Sequence, residues 1–229
     1  MSRAWGRRAI PHNARMPATP DPPPGDRRYV VWDVETLRLS YEVPGGWRRI
    51  RDFGLAVAVT IDDQGMQKSW EEPEAGALIE YLEGFPHVVG FNSLRFDCEV
   101  MTAYGPVDTL RERSLDLLAA IQSVTGRRRG LSLQNLARTM FGQEKTLEDG
   151  TEAVRLWRTG RPDDRQRVID YCAQDVVLTR RILDFGIANG YVLAPVPDVN
   201  NRGEPVGVQV PVTWGELSGL AGGATESES

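Results

Sequence analysis

Residues 29–36 read YVVWDVET, a short run of β-branched and aromatic residues that predicts a β-strand. Two carboxylates, Asp33 and Glu35, interrupt this apolar run at positions i and i+2. Successive side chains of a strand point to opposite faces, so these two lie on the same face. Unpaired carboxylates in such apolar surroundings cost several kcal/mol unless a cation compensates their charge. The pair therefore indicates a metal site. Its alternative is a solvated strand end, because a lone Asp-X-Glu occurs by chance in a chain this acidic.

Strand and helix patterns follow one another after this segment. Apolar strands are predicted over residues 53–62 and 87–92, and a turn at Gln64-Gly65 joins the first of them to a further strand. Two apolar stretches flank residues 200–203 and predict a C-terminal β-hairpin. Strands that come first and are followed by alternating strands and helices predict an α/β fold, a mixed β-sheet flanked by α-helices. The predicted helices cover residues 74–85, 96–103, 114–124, 131–142 and 163–189.

The composition changes at both ends of this pattern. Residues 1–28 are rich in Arg and Pro and lack hydrophobic periodicity, so they are predicted to be a disordered arm. Residues 29–190 carry the α/β pattern and are the predicted folded domain. The hairpin of residues 191–214 is expected to pack on or beside that domain. Residues 215–229 are small, polar and acidic and are predicted to be a disordered tail.

The whole chain has 229 residues, of which 41% are hydrophobic and 26% charged, a composition typical of soluble globular proteins. No apolar run is long enough to cross a bilayer, and no membrane partner is expected. The N-terminal segment lacks the apolar core of a secretory signal, and Cys98 and Cys172 form no CxxC pair, so a cytoplasmic location is expected. The formal net charge of −5 does not indicate bulk affinity for nucleic acid, but clustered carboxylates suit a divalent-cation site.

Two further segments carry carboxylates of the kind a metal site needs. Residues 90–97 read GFNSLRFD and place Asn92 at the end of a strand and Asp97 near the start of a helix. These two residues are either a helix cap and a charge that complements the helix dipole, or groups at the strand ends, where open α/β sheets bind ligands. In the longest predicted helix, Tyr171 and Asp175 are four residues apart and share one face. They are either a packing aromatic and a solvated charge, or part of the same site.

Taken in order, these segments resemble the three exonuclease motifs of the DEDDy 3′-5′ exonucleases, which have a ribonuclease H-like fold. The segment GFNSLRFD is similar to the second motif of the proofreading domains of family B DNA polymerases. The stretch over residues 131–175 resembles predicted ribonuclease H-like nucleases found near or fused to bacterial helicases. The resemblance covers residues 29–190, and the motifs lie at residues 33–36, 92–97 and 171–175.

The resemblance implies a hydrolase that cleaves phosphodiester bonds with two divalent cations, Mg²⁺ or Mn²⁺. Two ions about 4 Å apart activate a water nucleophile, relieve charge on the phosphate and stabilise the leaving 3′-oxygen. It assigns Asp33 as the ligand that bridges the two ions. Glu35 and Asp175 would complete the shell of one ion, and Asp97 would reach the other. Tyr171 would orient the attacking water, because a hydroxyl with a pKa of about 10 is a poor base at neutral pH.

The predicted substrate-binding residues come from the resemblance and from charge. By the resemblance, Thr36, Asn92 and Phe96 line the pocket for the 3′ end, where an aromatic side chain stacks on any base. Asp116 fits no position that the resemblance transfers and is left out of the predicted site. Clusters of arginine are the candidates for phosphate contacts, with solvated surface charges as the alternative. These clusters are Arg127, Arg128 and Arg129, and Arg48, Arg49 and Arg51.

The sequence therefore predicts a cytoplasmic, metal-dependent 3′-5′ exonuclease that acts on single-stranded ends of DNA or RNA. A helicase or a replication or repair protein is the partner class that the resemblance implies. Two alternatives stay open: a docking module of the same fold that binds nucleic acid or a helicase without catalysis, and an endonuclease that cuts structured duplexes. The complete set of carboxylates argues against the docking module. Tyr171 and the order of the motifs favour the exonuclease.

Overall fold

The structure is a computed structural model, and it describes residues 29–142, 150–199 and 205–214. Its centre is a five-stranded sheet with the strand order β3-β2-β1-β4-β5. β1 pairs antiparallel with β2 and parallel with β4, so the predicted mixed sheet is confirmed. The strands are β1 (Tyr29–Thr36), β2 (Leu55–Asp62), β3 (Gln67–Glu71), β4 (His87–Gly90) and β5 (Ser114–Asp116).

Helices cover both faces of this sheet. The longest, α7, crosses the face that carries the odd-numbered residues of β1. The described helices are α1 (Ala75–Glu83), α2 (Asp97–Met101), α3 (Asp108–Glu112), α4 (Leu117–Thr125), α5 (Leu133–Phe141), α6 (Gly150–Arg158) and α7 (Pro162–Asn189). The β1–β2 connection, residues 37–54, contains three short 3-10 helices. No helix in the described ranges is both long enough and apolar enough to cross a membrane.

The alternation of β1 separates two hydrophobic cores. Tyr29 and Val31 pack in the core that includes residues of α4, α5 and α7. Val30 and Trp32 pack on the opposite face, in the core that includes residues of α1, α2 and α3. Because the side chains of a strand alternate, the face of Tyr29 and Val31 continues towards the end of β1 and lies under α7. The predicted carboxylates of β1 belong to that face.

A second, two-stranded antiparallel sheet follows α7 and consists of β6 (Tyr191–Val199) and β7 (Pro205–Pro211). It packs on α5 and α7, and Trp214 lies so close to Gly186 of α7 that no Cβ would fit there. The two strands confirm the predicted hairpin. Its predicted turn at residues 200–203, the arm of residues 1–28 and the tail of residues 215–229 lie outside the described residues.

Three local predictions differ from the structure. The helix predicted over residues 114–124 begins only at Leu117, because Ser114–Asp116 pairs in parallel with β4 as strand β5. The strand predicted from residue 53 begins at Leu55, since Phe53 ends a 3-10 helix and Gly54 has a φ of +72°. Helices α3 and α6 were not predicted. A three-residue strand such as β5 and a five-residue helix such as α3 are too short to establish a hydrophobic period, so contacts with neighbouring elements determine their structure. Helix α6 has nine residues, and its amphipathic pattern was overlooked.

Candidate active site

The end of β1 extends past its parallel neighbour. Parallel pairing with β4 covers only residues 29–31, whereas β1 continues to Thr36. Asp33 and Glu35 therefore lie beyond the last pairing, where side chains from the loop after β4 can reach the strand. Asp97 does so, because its Oδ1 accepts a hydrogen bond of 3.0 Å from the backbone N–H of Val34. Asp97 is almost completely buried, and this bond fixes its carboxylate against the strand that carries the other two.

The loop that leads to Asp97 has a constrained backbone. Asn92 has a φ of +64° and is the one residue other than glycine with a positive φ in the described part of the chain. Asparagine is among the residues that tolerate this conformation. The loop also approaches β4 closely, since a Cβ added to Gly90 would lie 2.5 Å from the Cβ of Ser93. The chain therefore turns sharply at this point and delivers Asp97 to the end of β1.

Asp116 holds this loop in place, although it was left out of the predicted site. Its carboxylate accepts hydrogen bonds from the backbone N–H groups of Asn92 (2.9 Å), Leu94 (3.2 Å) and Ala119 (3.1 Å). The last of these makes Asp116 the N-cap of α4. Asp116 therefore ties the loop before Asp97 to the start of a helix. Aspartate is a favoured N-cap residue, but the predicted helix started at residue 114 and so hid this cap, and no sequence signal marked the two loop contacts.

We expect Asp116→Ala to lower the free energy of unfolding by about 3 kcal/mol, because three backbone donors lose a charged acceptor. Asp116→Asn keeps an acceptor oxygen and is expected to lose about half as much. Urea unfolding of both variants and of the wild type measures the difference. A loss below about 0.5 kcal/mol in the alanine variant, the range of ordinary surface substitutions, would contradict this role for Asp116.

Helix α7 brings the third motif to the same place. Cys172 is fully buried between α7 and β1, and its thiol donates to the carbonyl oxygen of Asp33 at 3.4 Å. The same sulfur lies 3.7 Å from Oδ2 of Asp33. Burial raises the pKa of Cys172, so the thiol stays protonated and acts as a donor. This contact places the turn of α7 that contains Tyr171 and Asp175 directly against the end of β1.

The four predicted carboxylates line a single cavity of about 420 Å³. Thr36, Asn92 and Phe96 line it as well, and their role in substrate binding stays a prediction. Tyr171 is only 4% exposed and lies beside the cavity rather than among the residues that line it. The acidic side chains of the cavity are Asp33, Glu35, Asp97 and Asp175.

The arginine clusters lie elsewhere. The guanidinium group of Arg127 donates to the carbonyl oxygen of Pro195 in β6 at 2.5 Å and lines a second cavity beside β7. Arg128 and Arg129 are exposed and do not line the acidic cavity. The other predicted cluster is exposed on the β1–β2 connection, which forms a wall of the acidic cavity. Its members, Arg48, Arg49 and Arg51, do not themselves line the cavity.

Several residues that line the cavity were missed at the level of sequence. Arg38, Tyr41 and Trp47 come from the β1–β2 connection, and Gly150 and Thr151 come from the start of α6. Among the described residues, Arg38 is the only cation that lines the cavity. The first three belong to an irregular connection without periodicity, and the other two lie at the start of a helix whose pattern was overlooked.

Arg158 of α6 fastens the β1–β2 connection to the rest of the protein. Its guanidinium group donates to the carbonyl oxygen of Leu37 and to both carboxylate oxygens of Glu42, at 2.6 to 2.9 Å. These hydrogen bonds from Arg158 lower the pKa of Glu42 to about 2. The connection is thus an anchored wall of the cavity.

Burial and mutual repulsion shift the ionisation of the carboxylates in the cavity. Burial raises the pKa of Asp33 well above its usual range, and repulsion by Asp97, Asp175 and Glu35 raises it further. Burial also raises the pKa of Asp97 to about 7, although backbone hydrogen bonds oppose this shift. The pKa of Tyr171 is raised by burial and then by the charges of Asp175, Glu35 and Asp33. The acidic groups therefore repel one another, and a divalent cation would relieve that repulsion.

The donor set of the cavity fits a hard cation. Carboxylate oxygens are the ligands that Mg²⁺ and Mn²⁺ prefer. Among the described residues, no three His, Cys, Asp or Glu side chains are grouped as a ready-made metal site. Mg²⁺ does not need such a cage, because it commonly takes one or two carboxylates and completes its shell with water and substrate phosphate. An open cavity with four carboxylates on its surface suits that mode of binding.

Comparison with known proteins gives one family and a similar fold. The family model RNase_H_2, of the RNase_H superfamily, matches residues 49–185, which is more than half of the chain. The match includes Asp97 and Asp175 and begins after β1. A family B DNA polymerase from the hyperthermophilic archaeon Pyrobaculum calidifontis has a similar structure, with a TM-score of 0.52 and 15% sequence identity. The similarity covers 75% of this chain and 25% of the polymerase chain. No curated protein matches the sequence.

Proposed function

The chain belongs to the RNase H superfamily, and from this membership we propose that it is a metal-dependent 3′-5′ exonuclease acting on single-stranded nucleic-acid ends. The observation that carries the proposal is the convergence of carboxylates from β1, α2 and α7 on one cavity. Its volume of about 420 Å³ is that of a site for one small ligand, such as a terminal nucleotide.

The proposed roles of the acidic side chains follow their positions. Asp33 would contact both of two divalent cations, because it lies close enough to the other three carboxylates to be repelled by all of them. Glu35 and Asp175 would hold one ion with it, and Asp97 would hold the second. When bound, Mg²⁺ or Mn²⁺ would neutralise charge at the phosphate and favour attack by water. The hydrogen bond from Val34 keeps the carboxylate of Asp97 oriented before any ion binds.

Tyr171 is proposed to orient the attacking water. Its pKa is raised, so its hydroxyl group keeps its proton at neutral pH and acts as a hydrogen-bond partner rather than as a base. Tyr171 is one residue from Cys172, whose contact with Asp33 fixes this turn of α7 against β1. The tyrosine is therefore held beside the acidic groups by the packing of the helix.

A 5′-labelled single strand, incubated with Mg²⁺ or Mn²⁺, tests the proposal. We expect a ladder of products that shorten by single nucleotides from the 3′ end, and we expect no ladder from Asp175→Ala. Matched DNA and RNA strands compare the two substrate classes in the same assay. Discrete internal cuts would support an endonuclease instead. Binding without cleavage would support a docking module, and digestion that survives unchanged in Asp175→Ala would remove this cavity from consideration.

The partner class remains a prediction from the resemblance to nucleases found with helicases. A helicase would supply the unpaired 3′ ends that the proposed reaction consumes. The similarity to the archaeal polymerase supports the fold alone, since it covers only a quarter of that protein.

A further inference from the structure

Two exposed aromatic side chains flank the acidic cavity. Tyr41 is 75% exposed and Trp47 is 67% exposed, the highest values among the large hydrophobic side chains in the described residues. The other exposed large hydrophobic side chains of that part of the chain are valines. Both aromatic residues line the cavity that holds the carboxylates. Exposed aromatic rings beside a polar site are typical of surfaces that bind flat ligands.

Trp47 is supported from behind by other rings. Its ring centroid lies 5.7 Å from that of Phe53 and 6.2 Å from that of Phe96. Phe53 is only 2% exposed and itself lies 6.4 Å from Phe96. The three rings form a continuous aromatic surface that begins in the core and ends in solvent beside Asp97. We call Tyr41, Trp47, Phe53 and Phe96 the aromatic wall.

The backbone of the aromatic wall is anchored. Arg158 holds the carbonyl oxygen of Leu37, which precedes Tyr41 in the chain, and the carboxylate of Glu42, which follows it. Between Tyr41 and Trp47, the side chain of Val43 is buried and its carbonyl oxygen accepts the N–H of Gly46. The exposed rings are therefore presented by a fixed segment, which lowers the entropy lost when a ligand binds to them.

We propose that Tyr41 and Trp47, the two exposed rings of the aromatic wall, stack on unpaired bases next to the bond that is cleaved and are the residues that select the single-stranded 3′ end of the proposed reaction. This inference rests on the proposed function and names the part of the substrate that the wall recognises. Stacking uses the face of a base, which every base has, so the wall is expected to show little sequence preference. In a duplex those faces are covered by neighbouring base pairs, and the cavity has the volume of a single-nucleotide site.

The charges around the wall suit nucleic acid. Arg48 and Arg51 are exposed on the same segment as Trp47, and Arg38 lines the cavity itself. These arginines are the candidates for contacts with phosphates of the bound strand upstream of the cleaved bond. Rings that alternate with cations along a groove are the features of single-strand binding surfaces. Arg127 lies instead at the hairpin, away from the rings.

Binding to strands with and without bases tests the wall independently of cleavage. The probes are a fluorescent single strand and the same strand with abasic sites at its 3′-terminal nucleotides, and both are bound by Asp175→Ala protein. We expect the Trp47→Ala substitution, made in the Asp175→Ala protein, to weaken binding of the intact strand about tenfold. Binding of the abasic strand is expected to stay unchanged. Trp47→Phe is expected to retain most of the affinity. Val124→Ala, at an exposed position beside the second cavity, is the matched control and is expected to have no effect.

The outcomes separate this inference from the proposed function. Equal binding of the two strands, or an equal effect of Trp47→Ala on both, overturns the stacking role even when the wild type digests single strands. A wild type that digests no strand, but whose preference for the intact strand depends on Trp47, overturns the exonuclease and supports the stacking surface. Because Trp47 is exposed, we expect Trp47→Ala to fold normally, so misfolding would not account for a loss of binding. An unchanged melting temperature of Trp47→Ala checks this expectation.

Discussion

Replacing Asp33 by asparagine is expected to reduce metal-dependent cleavage about a thousandfold or more. Asp33 is the carboxylate whose charge the other three all disfavour, so its loss is expected to affect every cation that the cavity is proposed to hold. A thousandfold loss corresponds to about 4 kcal/mol of transition-state stabilisation, which is within the contribution of bound divalent cations to phosphoryl transfer. Initial rates on a labelled single strand, at saturating Mn²⁺, measure the effect.

The same substitution is expected to stabilise the metal-free protein. Burial and three neighbouring carboxylates disfavour the charge of Asp33, and asparagine removes that charge while it keeps the shape of the side chain. Thermal unfolding in the presence of a chelator should therefore give a higher melting temperature for Asp33→Asn than for the wild type. Asp170→Asn, an exposed acid on α7, is the control and is expected to change neither activity nor stability. An Asp33→Asn protein that is both active and less stable would contradict the proposed site.

The parts of the site that lie on long regular elements could be predicted from the sequence. The period of a strand places Asp33 and Glu35 on one face, and the period of a helix places Tyr171 and Asp175 on one side of α7. Both periodicities depend only on the local backbone conformation and can be predicted without the rest of the fold. Asp97, near the start of a helix, was assigned to the site only through the resemblance, and its hydrogen bond to Val34 depends on where β4 stops pairing with β1.

The parts of the site that depend on long-range contacts could not be predicted. Asp116 acts through backbone groups of a loop more than twenty residues away in sequence, and Arg158 acts through residues more than a hundred positions away. Trp47 belongs to an irregular connection, so its sequence neighbours do not reveal which surface it faces. The three consecutive arginines from Arg127 resemble a phosphate-binding cluster in the sequence. The sequence does not show which surface their side chains face. In the folded chain, the first of them binds the hairpin.

The metal-free protein is expected to lose stability as the pH rises from about 4 to 8. The pKa of Asp97 is about 7 in the folded protein against 3.8 ordinarily, so the folded state keeps a proton that the unfolded chain releases. A carboxyl group whose pKa is raised by folding stabilises the folded state fully when the pH is below the pKa of the unfolded chain. This contribution is lost as the pH rises through the pKa of the folded state. Asp33, whose pKa is also raised, acts in the same direction. Glu42, with a pKa of about 2, acts in the opposite direction, but only at more acidic pH. For Asp97 alone the loss is up to about 4 kcal/mol, measured by urea unfolding with a chelator present.

Divalent cations should reverse this loss, because they bind the ionised carboxylates and compete with protons for them. We therefore expect Mn²⁺ to raise the melting temperature more at pH 8 than at pH 5. Asp97→Asn keeps an acceptor for the N–H of Val34 but cannot titrate, so it should show a flatter dependence on pH and a smaller effect of Mn²⁺. A wild type whose stability in chelator is constant or rises over this range would show that the carboxylates are not forced together in the folded state. In that case the cavity would have no electrostatic reason to bind a cation, and the assignment of its four acidic residues to metal binding would have to be abandoned.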